Sequence, residues 1–283
     1  HATYITGTSG DNALDGRGGN NIIDGGSGFD YVEYNGNGRT NVDANLATGL
    51  VNFTGSNGNN YTDTISNIEG VIGSNNDDII RGNNGFNILE GRKGNDTIYG
   101  GDGNDVLIDG HGDDQLYGEA GNDTIITVGS GTQHYDGGVD VDTLIVDTSY
   151  LTSLNEDYGN RIVIDLEAGD LGQQGNPNLR DTITNIENVT YNGLFNTLIK
   201  GDENSNILIG GSGNDRIIGN GGNDHFQGLD GDDAFSLGGR GQTIIDGGSG
   251  NDTLEIGLSK VVYPNDTNDN YENFVYNVSL ADG

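Results

Sequence analysis

The sequence predicts an all-β fold built of stacked short coils, and three observations predict it. A glycine-and-aspartate pattern returns every nine residues from Gly73 to Ile126 without losing step, and each copy closes on three residues of strand type. The apolar share is only 31%, with a mean hydropathy of −0.53, which is thin for an ordinary two-layer core. A fixed short period means one structural unit repeated along an axis, each unit touching its neighbours.

From Gly73 the copies read GSNNDDIIR, GNNGFNILE, GRKGNDTIY, GGDGNDVLI, DGHGDDQLY and GEAGNDTII. Glycine at places one, two and four permits positive φ and a tight turn whose carbonyls point towards a common centre. Places seven to nine, such as Val106-Leu107-Ile108, make a strand too short to stand alone. Strand side chains alternate, so the eighth residue faces one way and its two neighbours the other. The core column is therefore Ile80, Leu89, Ile98, Leu107, Leu116 and Ile125.

One aliphatic column does not offset the entropy of ordering the chain. Something must bind the turns, and the sixth-place carboxylates Asp78, Asp96, Asp105, Asp114 and Asp123 identify it. Carboxylates combined with main-chain carbonyls form an oxygen-only donor set, which suits a hard cation and points to Ca2+. The 44 acidic against 11 basic residues give a formal net charge of −33. That balance argues against nucleic acid and anionic membrane surfaces as partners. About six to eight divalent ions would offset roughly half of it, so the ion-free chain is expected to be expanded and the ion-bound chain compact. With no cysteine there is no disulfide or thiolate site, and ions are the staple left to such a chain outside the cell. No apolar run reaches membrane-spanning length, and HATYITGTSG lacks the charged start and apolar stretch of a secretory signal peptide.

Along the chain, residues 1–34 form a short first run, with GTSGDNALD, GRGGNNIID and GGSGFDYVE from Gly7. An insert at 35–72 precedes the second run at 73–146; a second insert at 147–191 precedes the third run at 192–255. The second and third runs each slip by one residue, at Thr127 and at Leu237. The inserts resemble each other: Asp63-Thr64-Ile65-Ser66-Asn67-Ile68-Glu69 matches Asp181-Thr182-Ile183-Thr184-Asn185-Ile186-Glu187. Their alternation predicts strands that cover the ends of each roll. Residues 256–283 begin a third insert, from which the chain is expected to be a piece of a longer protein.

These nonapeptides resemble the haemolysin-type calcium-binding repeat of the RTX family. The resemblance implies a right-handed parallel β-roll with two nonapeptides per coil and calcium between turns stacked on one side. It also implies the ligands: one turn supplies the carbonyls of places two and four with its Asp, and the turn eighteen residues on supplies those of places one and three with its Asp. Carried onto this chain, Gly101, Gly103 and Asp105 face Gly118, Ala120 and Asp123, while Arg92, Gly94 and Asp96 face Asp109, His111 and Asp114. Ser74, Asn76 and Asp78 face Gly91, Lys93 and Asp96, and in the third run Gly211, Gly213 and Asp215 face Gly228, Asp230 and Asp233. Gly100 and Asp102 are further carbonyl donors, and Asp30, Asp142, Asp224 and Asp252 are the carboxylates of the remaining turns. Asn12, Asn87 and Asn206 keep an oxygen without the charge, whereas Thr197, Gln133 and Thr243 leave weak or empty sites. The first run, with Asn12 and Asn21 opposite Asp30, is expected to depend least on metal.

The histidines His1, His111, His134 and His225 are scattered, and no carboxylate pair stands out from the repeat, so no enzyme activity is expected. The string Asp266-Thr267-Asn268-Asp269-Asn270 lacks the glycine and closing glutamate of an EF-hand loop and is read as a polar loop. Tyr99 and Tyr117, eighteen apart, should stack on one outer face, with Ile108 and Ile126 paired on the other. The expected function is that of a secreted or cell-surface calcium-binding module, monomeric as isolated, that is unfolded in low calcium and folds into a rigid β-roll outside the cell. The alternatives are a segment of a surface adhesin or surface-layer protein, with a cell-surface or polysaccharide partner, or an accessory module of a toxin or extracellular enzyme. No membrane insertion by this segment is expected.

Overall fold

The computed structural model describes residues 3–36, 38–148, 161–175, 180–255 and 277–279. The EF-hand-like string and most of the third insert lie outside the described residues. Two compact units are formed, His1–Thr152 with Pro177–Ile186, and Ser153–Asn176 with Glu187–Gly283. Among the described residues no helix is long and apolar enough to cross a membrane.

In the first unit the nonapeptides alternate between two sheets. One sheet carries, side by side, Tyr4–Thr6, Ile22–Asp24, Asn60–Ser66, Leu50–Thr54, Thr40–Asn45, Ile79–Arg81, Thr97–Asp102, Gln115–Ala120, His134–Asp136 and Arg180–Thr184. The other carries Ala13–Leu14, Tyr31–Glu33, Gly70–Ile72, Ile88–Lys93, Val106–His111, Thr124–Thr127 and Thr143–Asp147. Within the run, neighbours are parallel and in step: Leu89 lies beside Leu107, Leu107 beside Ile125, and Ile98 beside Leu116. One coil is therefore two nonapeptides, one strand in each sheet, as a parallel β-roll requires.

The eighth-place column is the core. Ile80, Leu89, Ile98, Leu107, Leu116 and Ile125 are all 0% exposed, and Tyr135 and Leu144 extend the column. Tyr99 and Tyr117 stack outside it with centroids 5.1 Å apart, and Ile108 pairs with Ile126 in the opposite sheet.

The insert departs from its expected capping role. Asn60–Ser66 pairs in parallel with Ile22–Asp24, bringing Ile65 beside Ile23, and Thr40–Asn45 pairs in parallel with Ile79–Arg81. Leu50–Thr54 runs antiparallel between them. The hairpin is spliced into the sheet, so the stack continues through the insert. The reason lies in Asp63-Thr64-Ile65-Ser66, which reproduces places six to nine: Ile65 joins the core column, and its neighbours satisfy a row of amides that an end would leave bare.

The second unit repeats the plan. One sheet carries Asp170–Gln173, Arg161–Asp165, Asn196–Lys200, Arg216–Ile218, Ala234–Ser236 and Thr253–Glu255; the other carries Asn188–Asn192, Ile207–Ile209, His225–Gln227, Ile244–Asp246 and Asn277–Ser279. Ile199, Leu208, Ile217, Phe226 and Phe235 are each 0% exposed. The slips are absorbed in the turns, because the pairs Leu116 with Tyr135 and Phe226 with Ile245 keep the eighth places aligned across one extra residue.

Candidate metal centre

The turns are held in the conformation that glycine favours. At the second place φ is positive in several turns, as at Gly101 (106°) and Gly110 (120°), though not at Ser74, Asn83 or Gly211. Some non-glycine residues there comply as well: Arg92 at 82°, Glu119 at 74° and Leu229 at 76°. An L side chain in this region costs roughly 1–2 kcal/mol, so something in the stack compensates for it.

Among the described residues, seven of the sixth-place aspartates divide their two oxygens. The amides of Asp78, Asp96, Asp105 and Asp215 donate to Oδ1 of Asp96 (2.8 Å), Asp114 (2.8 Å), Asp123 (2.7 Å) and Asp233 (2.8 Å), each one coil further on. The other oxygen has nothing. Oδ2 of Asp30, Asp96, Asp105, Asp114, Asp123, Asp224 and Asp233 is buried and receives no hydrogen bond. A buried acceptor without a donor is costly, and a column of them in register suits a cation. Burial pushes the carboxyl of Asp96 up to about 8, those of Asp114 and Asp233 to about 7, and those of Asp105, Asp123 and Asp224 to about 6. For Asp96 the carboxylates of Asp78 and Asp114 on either side add to the effect.

The first-place glycines form the wall. A Cβ on Gly100 would stand 2.6 Å from the Gly118 carbonyl oxygen and 2.7 Å from Asp105 Oδ2. The same two kinds of oxygen crowd Gly91 (Asp96 Oδ2 and the Asp109 carbonyl), Gly118 (Asp123 Oδ2 and the Gly137 carbonyl), and Gly210 and Gly228 in the second unit. A first-place carbonyl and the carboxylate of the preceding coil thus converge where no side chain fits. The third-place carbonyls of His111 and Ala120 each accept an amide, from Gly94 (2.9 Å) and Gly103 (2.8 Å), and keep a second lone pair. Among the described residues no three Asp, Glu, His or Cys side chains gather at one point. Two carboxylates with main-chain carbonyls make up each candidate centre, a donor set that fits a calcium ion.

Three sequence-selected positions behave differently. Asp78 has both oxygens engaged, Oδ2 by the Ser74 amide and Oδ1 by the Ser74 hydroxyl and the Val42 amide. Asp215 likewise accepts from Gly211 and Thr197. Asn12 does meet Asp30, through its amide at 2.8 Å, but Asn21 meets Asp63 of the insert instead.

Sequence reasoning missed two sets of residues. Fifth-place Asn and Asp side chains form a second ladder running the opposite way: Asn95 Oδ1 accepts the Asp113 amide (2.9 Å), Asn104 Oδ1 that of Asn122 (2.9 Å), and Asn214 Oδ1 that of Asp232 (3.1 Å). Its signal was the recurrent Asn before the sixth-place Asp. The inserts also supply sixth-place equivalents, Asp63 to Asn21 and Asp181 to Gln133 (2.8 Å), which the matched Asp-Thr-Ile segments could have indicated.

The family model for the RTX calcium-binding nonapeptide repeat matches residues 2–32, 72–107, 93–125, 200–235 and 237–255. No curated protein matches the chain.

Proposed function

The chain belongs to the RTX calcium-binding nonapeptide-repeat family, and from that premise we propose that it is a secreted, non-enzymatic module whose folding is gated by extracellular calcium. The observation that carries this reading is the column of buried Asp Oδ2 atoms without donors. Without counter-charge, Asp96, Asp105, Asp114 and Asp123 repel one another along the axis, and the glycine-rich turns offer little to hold them. Bound calcium supplies the positive charge that this column lacks. The carboxylates then keep their Oδ1 bonds to the neighbouring coil and turn Oδ2 to the cation, so each turn is fastened to the next. In a low-calcium cytosol the chain stays open, a form suited to passage through a type I secretion channel; outside it folds.

Far-UV circular dichroism of the chain, titrated from chelator to about ten millimolar calcium with magnesium as control, tests the reading. A cooperative, calcium-specific gain of β signal is expected. A full β spectrum in chelator would overturn the gating and leave a constitutive scaffold.

A further inference from the structure

The turn from Gly16 to Asn21 meets the insert strand Asn60–Ser66 as one repeat turn meets the next: the Asn21 amide donates to Asp63 Oδ1 at 2.7 Å. Here, however, side chains donate to two carbonyls of the turn and to both oxygens of Asp63. Arg39 Nη1 donates to the carbonyl of Arg17 (3.1 Å), the second-place oxygen of this turn, and pairs with Asp15 at 2.6 Å. Asn21 Nδ2 reaches the fourth-place carbonyl of Gly19 (3.2 Å) and Asp63 Oδ1 (2.8 Å). The Tyr34 hydroxyl donates to Asp63 Oδ2 at 3.0 Å, the counterpart of the oxygen left bare in Asp96, Asp105, Asp114 and Asp123.

The guanidinium that completes this set is buried, with 1% of its side chain exposed. Its Nε donates to the Gly36 carbonyl (3.2 Å), and its carbon lies 5.0 Å from the centroid of the Tyr34 ring. Arginine is rarely buried unless acceptors meet it, and here Nε and Nη1 find them in the Gly36 and Arg17 carbonyls and Asp15, while Nη2 is buried without a partner. Asn60–Ser66 is a strand, so it presents no second glycine turn to complete an ion's oxygen shell.

We propose that the Arg39 guanidinium, with Tyr34 and Asn21, occupies this turn in place of a calcium ion, so that the strands it joins, Ile22–Asp24 and Asn60–Ser66, hold together without calcium and seed the ion-dependent coils. Both growing edges are in place: Ala44 lies beside Ile80 in one sheet, and Val71 beside Leu89 in the other. The Val42 amide already holds Asp78, the first carboxylate of the second run. The seeding half of the proposal rests on the calcium-gated reading; the ion-free turn does not.

Hydrogen exchange followed by mass spectrometry on the full chain, in chelator and in calcium, separates the two. In chelator, amides of Ile22–Asp24 and Asn60–Ser66 are expected to exchange about tenfold or more slower than those of residues 97–127. Arg39→Gln should abolish that difference while residues 97–127 still gain protection in calcium. Equal, fast exchange of both segments in the unaltered chain, or unchanged protection in R39Q, overturns the proposal. Should residues 97–127 stay protected in chelator, the gating reading falls, and R39Q still decides the role of Arg39 by its effect on Ile22–Asp24 and Asn60–Ser66. Should R39Q lose protection everywhere even in calcium, Tyr34→Phe decides: it keeps the ring and removes the donor to Asp63 Oδ2. Selective loss of protection in Asn60–Ser66 then supports the assignment, and no loss overturns it.

Discussion

Replacing Asp105 by asparagine should act in opposite directions on the two states of the roll. Asp105 is 1% exposed, its Oδ1 accepts the Asn87 amide at 2.7 Å, and its Oδ2 has no donor. Asparagine retains the Oδ1 acceptor, removes the charge and puts an NH2 donor in the place of Oδ2. Burial raises the folded carboxyl from 3.8 to about 6. A folded pKa above the unfolded one gives stability that is present below about pH 4 and lost as pH rises through about 6. At pH 7.5 the ion-free roll thus carries a penalty of about two pKa units, or roughly 3 kcal/mol, which Asp105→Asn relieves. With calcium the sign reverses, since one of two carboxylates at the centre is lost, and the midpoint of the titration should rise roughly tenfold or more. Two assays on one variant suffice: urea unfolding in chelator, followed by fluorescence or circular dichroism, and a calcium titration. Unchanged stability in chelator together with an unchanged calcium midpoint would refute the view that this oxygen awaits a cation.

Acid should partly stand in for calcium: with Asp96 at about 8 and Asp114 at about 7, lowering the pH of chelated chain from about 8 to about 5 is expected to increase the β signal while weakening calcium binding. A falling β signal over that range would contradict it. Gly100→Ala puts a Cβ 2.6 Å from the Gly118 carbonyl and is expected to cost about 1–3 kcal/mol in the calcium-bound protein and to raise the calcium midpoint, read by thermal melting and titration. Asn95→Ala removes the acceptor of the Asp113 amide and should cost about 0.5–1.5 kcal/mol while calorimetry finds the same number of bound ions. Leu107→Ala, in the 0%-exposed core column, should cost about 2–5 kcal/mol in calcium-saturated protein.

The repeat made its own coil legible. Because Leu89, Leu107 and Ile125 recur at the eighth place of alternate nonapeptides, the strand and its inward face follow from alternation and period, while its parallel partner followed from the resemblance to the RTX repeat. The sixth-place carboxylates were legible for the same reason, since an aspartate repeated with the turn must lie in a column along the axis. The fifth-place ladder was written in the same period and went unread, because an exposed Asn in a turn looks like ordinary turn chemistry until its Oδ1 is seen on the next coil's amide. Asp78 and Asp215 show the reverse: their pattern matches the other centres, but nearby Ser74 and Thr197 supply donors to them.

By itself, then, the sequence determined the all-β stack, its core column and the carboxylates set along its axis, because each of these is a local demand restated every nine residues, while the roll of two nonapeptides per coil came with the resemblance to the RTX repeat. Only the tertiary structure decided that the insert is spliced into the stack, that Asn21 finds Asp63 across 42 residues, and that Arg39 and Tyr34 satisfy the oxygens of that turn. A long excursion closes at little extra entropic cost for each added residue, so chain spacing leaves its partner open. The partner is chosen by which buried donors and acceptors can be matched at once, and that condition exists only when distant segments lie side by side.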